Sequence, residues 1–543
     1  MTANAALPAT PPAADPAAPR PASAVVLVRR GADGLEVFWV RRGEQLRFAG
    51  GFFAFAGGRV DAGDAALPVE SQPALGPLSP EERACVAAAA RELFEETGVL
   101  AVPGAARVPE AERRRVRTLL TEYPKGRRAG QAGAAPAPLG ESPFLTLLAA
   151  HGLRIDAGLF VPAGRWLTPP AVATRFDTRF YLVELPLGER AEVWPGELAD
   201  GAWITPRGAL ARWDDGSALL HPPAWHTLRC LAEPAPAAGD ARAALPFLQD
   251  PQAARWRLPI DAFVVQRMEF QRGVILVPLR TPTLPPATHT NCLLIGDDRL
   301  AVVDPGSPWP EEQAVLDRTL DLLAAEGRRA TEIVLTHHHL DHVAGAMALS
   351  ARLGLPIAAH AETAARLAGE VRIDRLIEGD EPLALGPRGW RALHLPGHTL
   401  GHLCLIEEGS GAVVAGDLVA SGSTVVIDPP EGDMQAYLRS LDRLLALGPG
   451  TIYPAHGQVV PAGAALLQGY VAHRLEREAK IAAALRQGFD RDGPRRPADL
   501  LPGAYADVSP GLYPLAERSL LAHLLKLVQD GRATEADGRF SPR

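Results

Sequence analysis

Seven consecutive residues constrain this chain more than any others. Thr336-His337-His338-His339-Leu340-Asp341-His342 places four imidazoles and a carboxylate directly after the apolar run Ile333-Val334-Leu335. Such a run reads as a buried strand, so the ligand-type side chains occupy the loop that leaves it. His337 and His339, two apart, can face the same way, and Asp341 and His342 can then turn toward a second position. Neutral imidazole and carboxylate are groups that Zn²⁺ accepts as ligands. The competing reading is a histidine-rich surface loop that binds nothing, and for a lone His that reading would win.

Three later segments of the same build weigh against it. Trp390-Arg391-Ala392-Leu393 leads to Pro396-Gly397-His398-Thr399, the strand-like run 411–415 leads to Gly416-Asp417, and Thr451-Ile452-Tyr453 leads to Pro454-Ala455-His456-Gly457. Each ligand-type residue follows a short apolar run beside Gly or Pro, where the backbone can turn sharply. This order of motifs resembles the metallo-β-lactamase superfamily. The resemblance implies an αββα sandwich with two Zn²⁺ ions. His337, His339 and His398 would hold one ion and Asp341, His342 and His456 the other, with Asp417 as bridge. A hydroxide activated by both metals would be the nucleophile, with Asp341 and Asp417 as the catalytic carboxylates. Asp304, after Leu300-Ala301-Val302-Val303, matches the family's first motif, whose Asp orients the metal loop. His338, His360, His394 and His402 fall off the ligand positions; His402 is expected to support a ligand and the others to be structural or exposed.

The likeness extends to a branch. Gly422-Ser423-Thr424-Val425-Val426, the segment 433–441 and Tyr470-Val471-Ala472-His473-Arg474 are similar to the β-lactamase-like protein 2 group. That group includes endoribonucleases for single-stranded RNA and relatives assigned as hydroxyacylglutathione hydrolases, and its members end in a small winged-helix-like domain. Residues 470–487 and 515–528 read as helices here, and Asp537-Gly538 as the turn of a wing. The implied substrate is a thioester or ester, or an RNA phosphodiester; ligands shared by all branches do not choose between them. An RNA route calls for a basic groove, with His473, Arg474, Arg477, Arg495 and Arg496 as candidates.

The first half carries a different signal, Arg91-Glu92-Leu93-Phe94-Glu95-Glu96-Thr97-Gly98-Val99. Ser79-Pro80-Glu81-Glu82 before it is a capping box with Pro at the first helical position, and Gly98 is a terminator, so a helix is expected over 80–96. Glu92, Glu95 and Glu96 then share one face, where their charges repel unless cations neutralise them. A solvated acidic face is the bland alternative. With Gly57-Gly58-Arg59-Val60 upstream, the string resembles the Nudix hydrolase box. The resemblance implies an α/β/α sandwich in which Glu92, Glu95 and Glu96 bind Mg²⁺ or Mn²⁺ or act as base, Glu92 being the catalytic candidate. Two departures stand out: Gly58-x5 reaches Asp64 where the family has Glu, and about 65–79 is an insertion. The interrupted box, with Arg175 to Tyr181 and Gly196-Glu197 to Trp203, is similar to the coenzyme A diphosphatase branch, with Glu197 as an extra ligand candidate. The implied substrate is a coenzyme A ester or a nucleotide diphosphate. The alternative is a non-catalytic nucleotide- or coenzyme-binding module that regulates the metallohydrolase.

Length and charge set the frame. A chain of 543 residues exceeds one core, so an α/β multidomain protein is expected. The expected divisions are a disordered tail (1–22), a Nudix-like domain (23–232), a linker (233–257), a metallo-β-lactamase-fold domain (258–466) and a helical winged-helix-like domain (467–543), with a loop over 125–140. The net charge of -8 gives no chain-wide attraction to nucleic acid. Four dispersed cysteines without a CxxC pair suit a reducing cytoplasm, and no apolar stretch approaches a membrane span.

Overall fold

The computed structural model describes residues 18–46, 49–72, 76–122, 142–170, 174–194, 196–233, 240–250, 260–261, 264–265, 267–285 and 287–543. The expected loop over 125–140 and most of the expected N-terminal tail lie outside them. The chain divides into two compact units between Gln271 and Arg272.

The first unit is built on the strand Arg20–Gly31, which pairs antiparallel with Gly34–Arg42 and parallel with Phe176–Glu184. Successive strand side chains point to opposite faces. Val25 and Leu27 join one core with Leu93, Phe94, Val116 and Phe144, while Ala24, Val26 and Val28 join another with Ala209, Trp213, Ala224 and Leu228. Helices therefore cover both faces, giving three layers. The helix Pro80–Thr97 has the expected caps: Ser79 accepts the Glu82 amide, Glu82 returns to Ser79, and Gly98 closes the helix at φ 75°. Leu93 and Phe94 are fully buried, each contributing about 2 kcal/mol.

Two expected boundaries are corrected. Residues 241–249, read as linker, form a 3-10 turn and a short helix whose Ala241, Ala244 and Leu248 pack into the second core. The strands Ile260–Asp261 and Val264–Val265, read as the start of the second domain, continue the first unit's sheet through Leu167.

The second unit contains two sheets. In the first, Val274–Arg280, His289–Gly296 and Arg299–Val303 are antiparallel neighbours, and Arg329–Leu335, Ile357–His360 and Arg375–Ile377 follow in parallel. The helices Pro310–Ala325 and Ala346–Leu353 make the parallel crossovers. Leu316, Leu320 and Leu349 pack on Cys292, Leu294, Val302 and Ile333. In the second sheet Glu381–Leu383, Trp390–His394, Leu403–Glu407 and Val413–Gly416 are antiparallel and Ile452–Pro454 is parallel. The helix Met434–Ala446 covers it through Tyr437, Leu441 and Leu444. The alternate residues Leu293, Ile295, Val303, Leu403, Leu405 and Val414 are buried as well, as in two sheets stacked between helix layers.

The helix Gly463–Asp492 then leads to Pro497–Ala504, Tyr513–Gln529 and the hairpin Ala533–Ala536 with Arg539–Pro542. Asp537 and Gly538 make its turn at φ 50° and 71°. Ile481, Leu485, Leu500, Leu520, Leu524 and Phe540 form its core. The four cysteines are buried and free, and no helix among the described residues is long and apolar enough to cross a membrane.

Candidate metal centre

Strands of both sheets deliver the metal-type residues at their C-terminal ends. Arg299–Val303 leads to Asp304, Arg329–Leu335 to the run 337–342, Trp390–His394 to His398, Val413–Gly416 to Asp417 and Ile452–Pro454 to His456. Two glycines permit the close packing. A side chain at Gly397 would meet the Tyr437 backbone at 2.3 Å, and one at Gly416 would meet His402 at 2.8 Å.

His337, His339, His398 and Asp417 bring one donor atom each within 4.8 Å of one another, and so do Asp341, His342 and His456. The carboxylate of Asp417 faces both sets. Its Oδ2 lies 3.6 Å from His398 Nε2 and 4.0 Å from His337 Nε2; its Oδ1 lies 3.6 Å from His342 Nε2 and 3.4 Å from His456 Nε2. Asp341 Oδ2 completes the second set at 3.3 Å from His456 Nε2 and 3.7 Å from His342 Nε2.

Hydrogen bonds fix which ring nitrogen faces inward. Thr336 gives its amide and hydroxyl to Asp304, at 2.8 and 2.6 Å, and its oxygen accepts from His337 Nδ1 at 3.0 Å. His342 Nδ1 donates to Asp304 at 2.8 Å, His398 Nδ1 to the Val426 carbonyl at 2.9 Å and His456 Nδ1 to the His289 carbonyl at 3.1 Å. Each Nε2 is thereby left as a bare lone pair aimed at the cleft. Asp304 holds this position at φ 52°, in the left-handed region.

The donor set fits divalent ions. His339 Nδ1 lies 2.9 Å from His337 Nε2 and 3.2 Å from His398 Nε2, an approach of lone pairs that a cation relieves. His342 Nε2 and Asp417 Oδ1 are buried without a hydrogen-bond partner among the described residues. Burial, with neighbouring imidazoles, holds His337 and His398 toward the neutral form and takes His339 to about 3. Burial also opposes charge on His342, but Asp341, Asp417 and Asp304 outweigh it and raise its pKa; His456 is raised in the same manner by Asp341 and Asp417. Carboxylate charge that favours a proton there favours a metal ion equally.

The other histidines sort as follows. His402 is buried and its Nε2 accepts the Asp417 amide at 3.0 Å, holding the residue that faces both sets. His338 pairs with Glu431 at 2.8 Å, and His360 stacks on His394 at 3.9 Å. Glu431, which joins His338 and His339 as a third group of donor atoms, and the carbonyls of Val426 and His289 escaped the sequence reading. Backbone acceptors carry no residue signature.

In the first unit Arg91 gathers the acids. Its Nε and Nη2 take Asp64 at 2.7 and 2.9 Å, its Nη1 takes Glu92 at 2.7 Å, and Glu95 lies 3.6 Å away. Glu96 accepts the Gly57 amide at 2.8 Å. Glu92, Glu95 and Glu96 are buried yet form no three-donor group; the groups among the described residues all belong to the second unit. Glu92 and Glu197 line a cavity of about 800 Å³ with Arg20, Arg42, Arg59 and the rings of Phe53, Phe180 and Trp166.

Two of the five basic-groove candidates are corrected. Arg474 and Arg477 are buried, Arg474 donating to the Val425 carbonyl at 2.6 Å and Arg477 pairing with Asp507 at 2.8 Å. Arg495 pairs with Asp492 at 2.5 Å. Arg474 and Arg477 are thereby held inside the protein, while Arg496 is exposed and Arg495 and His473 are half-buried.

Comparison with known proteins agrees with this geometry. Residues 285–456 match the model of the metallo-beta-lactamase superfamily and 497–540 that of the beta-lactamase associated winged helix domain. A hydroxyacylglutathione hydrolase of Methylococcus capsulatus is 34% identical over 197 residues, 36% of this chain and 72% of that protein. The chain belongs to the metallo-beta-lactamase superfamily. A second relative of this superfamily member, a beta-lactamase-like protein 2 homolog of Drosophila melanogaster, is 26% identical over 268 residues, 46% of this chain and 87% of the relative. A NUDIX hydrolase from Alicyclobacillus acidocaldarius, known from a crystal structure, is 29% identical, covers 43% of this chain and 97% of its own, and has a TM-score of 0.35.

Proposed function

We propose that the second unit hydrolyses a thioester or ester of a small acid at two Zn²⁺-class ions. One observation carries this reading: the two oxygens of Asp417 face two separate sets of imidazoles. Ions held there supply Lewis acidity, polarising a carbonyl and lowering the pKa of water. The chain's own groups do the rest. Asp304 and Thr336 orient His337 and His342, His402 holds the Asp417 backbone, and Asp341 and Asp417 provide the anionic charge. A thioester is favoured over RNA because Arg474 and Arg477, two of the expected groove residues, are buried, and because an acylated thiol is what the name of the Methylococcus relative describes. The test is a hydrolysis panel of acyl-glutathione, acyl-coenzyme A, simple esters and single-stranded RNA, with metal content measured on the same sample. Cleavage of RNA alone would reject the thioester reading.

For the first unit we propose a Nudix-like site that takes a nucleotide diphosphate or coenzyme A. Arg20, Arg42 and Arg59 line the cavity, and no carboxylate among the described residues pairs with them, whereas Arg91 neutralises Glu92. Such a cavity suits a phosphorylated ligand with an aromatic or apolar portion. Glu92, held by Arg91, lines the same cavity, so a bound diphosphate would lie beside the acidic helix face, and both binding and hydrolysis are tested. Calorimetry and a diphosphatase assay with wild type and Glu95→Gln separate the cases. Binding without turnover makes this a module; turnover lost in the variant makes it an enzyme; no binding rejects both.

A further inference from the structure

The segment between Asp417 and the helix Met434–Ala446 contributes no side-chain ligand of the two sets, yet the Val426 carbonyl orients His398. That carbonyl fixes the ring only if its own peptide is fixed. The groups on either side of it are held by the C-terminal helices. Arg474 Nη2, on the helix Gly463–Asp492, donates to the Val425 carbonyl at 2.6 Å. Ser519 Oγ, on the helix Tyr513–Gln529, accepts the Ile427 amide at 3.3 Å. The same two helices hold the segment further out. The Tyr470 hydroxyl accepts the Ala420 amide at 2.8 Å and lies 2.7 Å from the Ser423 carbonyl, and Arg518 pairs with Asp428 at 2.9 Å.

Arg474 is the least expected member. It is buried, no carboxylate among the described residues pairs with it, and its guanidinium lies over the Tyr437 ring at 5.3 Å. A buried cation without a counter-ion is costly. This one gives its strongest hydrogen bond to the peptide next to Val426.

We propose that Arg474 and Ser519 are positioning residues for the metal ligand His398, acting through the carbonyl of Val426, so that the winged-helix part completes the metal centre. The inference rests on the reading that the second unit binds metal ions. With Arg474 removed, the Val425–Val426 peptide loses its donor, the Val426 oxygen drifts, and the His398 ring rotates away from the position shared with His337 and His339. Partners of ligating imidazoles are typically worth ten- to a hundredfold in metal affinity.

The experiment uses the full chain and Zn²⁺ and Co²⁺ as probes. Arg474→Met keeps volume and removes the donor, Arg474→Lys restores one donor, and Ser519→Ala removes the second contact at small cost in volume. Chelator competition should show one of the two metal equivalents weakened about ten- to a hundredfold in Arg474→Met, with partial recovery in Arg474→Lys and a smaller shift of the same sign in Ser519→Ala. The visible spectrum of the Co²⁺ form should change, and kcat should fall more than KM rises. Wild-type affinity and spectrum in folded Arg474→Met would overturn the inference while leaving the metal reading intact. If Arg474→Met fails to fold, Ser519→Ala decides by the same readouts. Absence of metal binding in wild type would overturn both.

Discussion

Asp64 holds both Nε and Nη2 of Arg91, at 2.7 and 2.9 Å, although 27 residues separate the two. Both side chains are buried. The turn Ala62–Ala66 brings Asp64 to the helix Pro80–Thr97, so the pair closes across that separation. Removing one partner of a buried pair leaves an uncompensated charge. Asp64→Ala should destabilise the first unit by about 3 kcal/mol. Glu92 keeps part of the Arg91 charge satisfied, so total loss of folding is not expected. Denaturant unfolding of the variant would check this; a change under about 0.5 kcal/mol would mean the pair behaves as a surface bridge.

Arg42 lies in the first unit's cavity with its Nε buried and without a hydrogen-bond partner among the described residues. It is the guanidinium best prepared to meet an anionic group. A charge-assisted hydrogen bond is worth about 1.5–3 kcal/mol, so Arg42→Ala should weaken binding of a phosphorylated nucleotide or coenzyme A about ten- to a hundredfold. Titration calorimetry against wild type is the measurement. Equal affinities would place the ligand elsewhere.

Legibility in the sequence followed the physics of each feature. The seven metal-type residues were readable because ligand chemistry belongs to side chains and each followed a strand-like run. The helix Pro80–Thr97 and the wing turn at Asp537-Gly538 were readable because capping and left-handed turns select residue types. The burial of Arg474 and Arg477 is not legible because charge in a sequence does not reveal it, and long side chains can bury their heads when carbonyls or a carboxylate meet them. Residues 241–249 were misread as linker because their Ala and Pro content resembles the preceding stretch; only Ala241, Ala244 and Leu248 touching a core distinguish them. The part Val426 plays rests on its backbone carbonyl, which carries no residue signature.

Glu478 anchors the C-terminal part. It pairs with Arg532 at 2.5 Å and Lys526 at 2.9 Å, and His523 lies 3.9 Å away. Burial works against its charge, but His523, Lys526 and Arg532 outweigh it and hold its pKa at about 2, below the ordinary 4.5. A carboxylate with a lowered folded pKa contributes stability above its unfolded pKa and loses it as pH falls through the folded one. The loss should therefore run from about pH 4.5 to 2 and amount to roughly 2 kcal/mol after allowance for partial solvent screening. Glu478→Gln should flatten that part of the curve while lowering stability near neutrality. Urea midpoints across this range for both proteins provide the check, and parallel curves would remove Glu478 from the effect.

Asp417 offers the sharpest test of the metal centre. Its two oxygens face two groups of ligands, and its amide is held by His402. Asn has nearly the same size and can keep the amide bond to His402, so the fold should survive. It loses one anionic oxygen and the charge that draws cations to both positions. One of the two metal equivalents should be weakened, and turnover on the best thioester should fall at least about a hundredfold, the scale for losing a principal electrostatic element. Chelation of wild type should abolish the same activity and added Zn²⁺ should restore it, whereas restoration in Asp417→Asn should be incomplete even at saturating metal. The competing reading makes Asp417 a turn residue after Gly416, a role Asn fills as well. Under that reading metal content and turnover would both stay near wild type, and the two-metal arrangement would be wrong. Binding loss and rate loss must appear together, because the same carboxylate oxygens face the imidazoles of both sets.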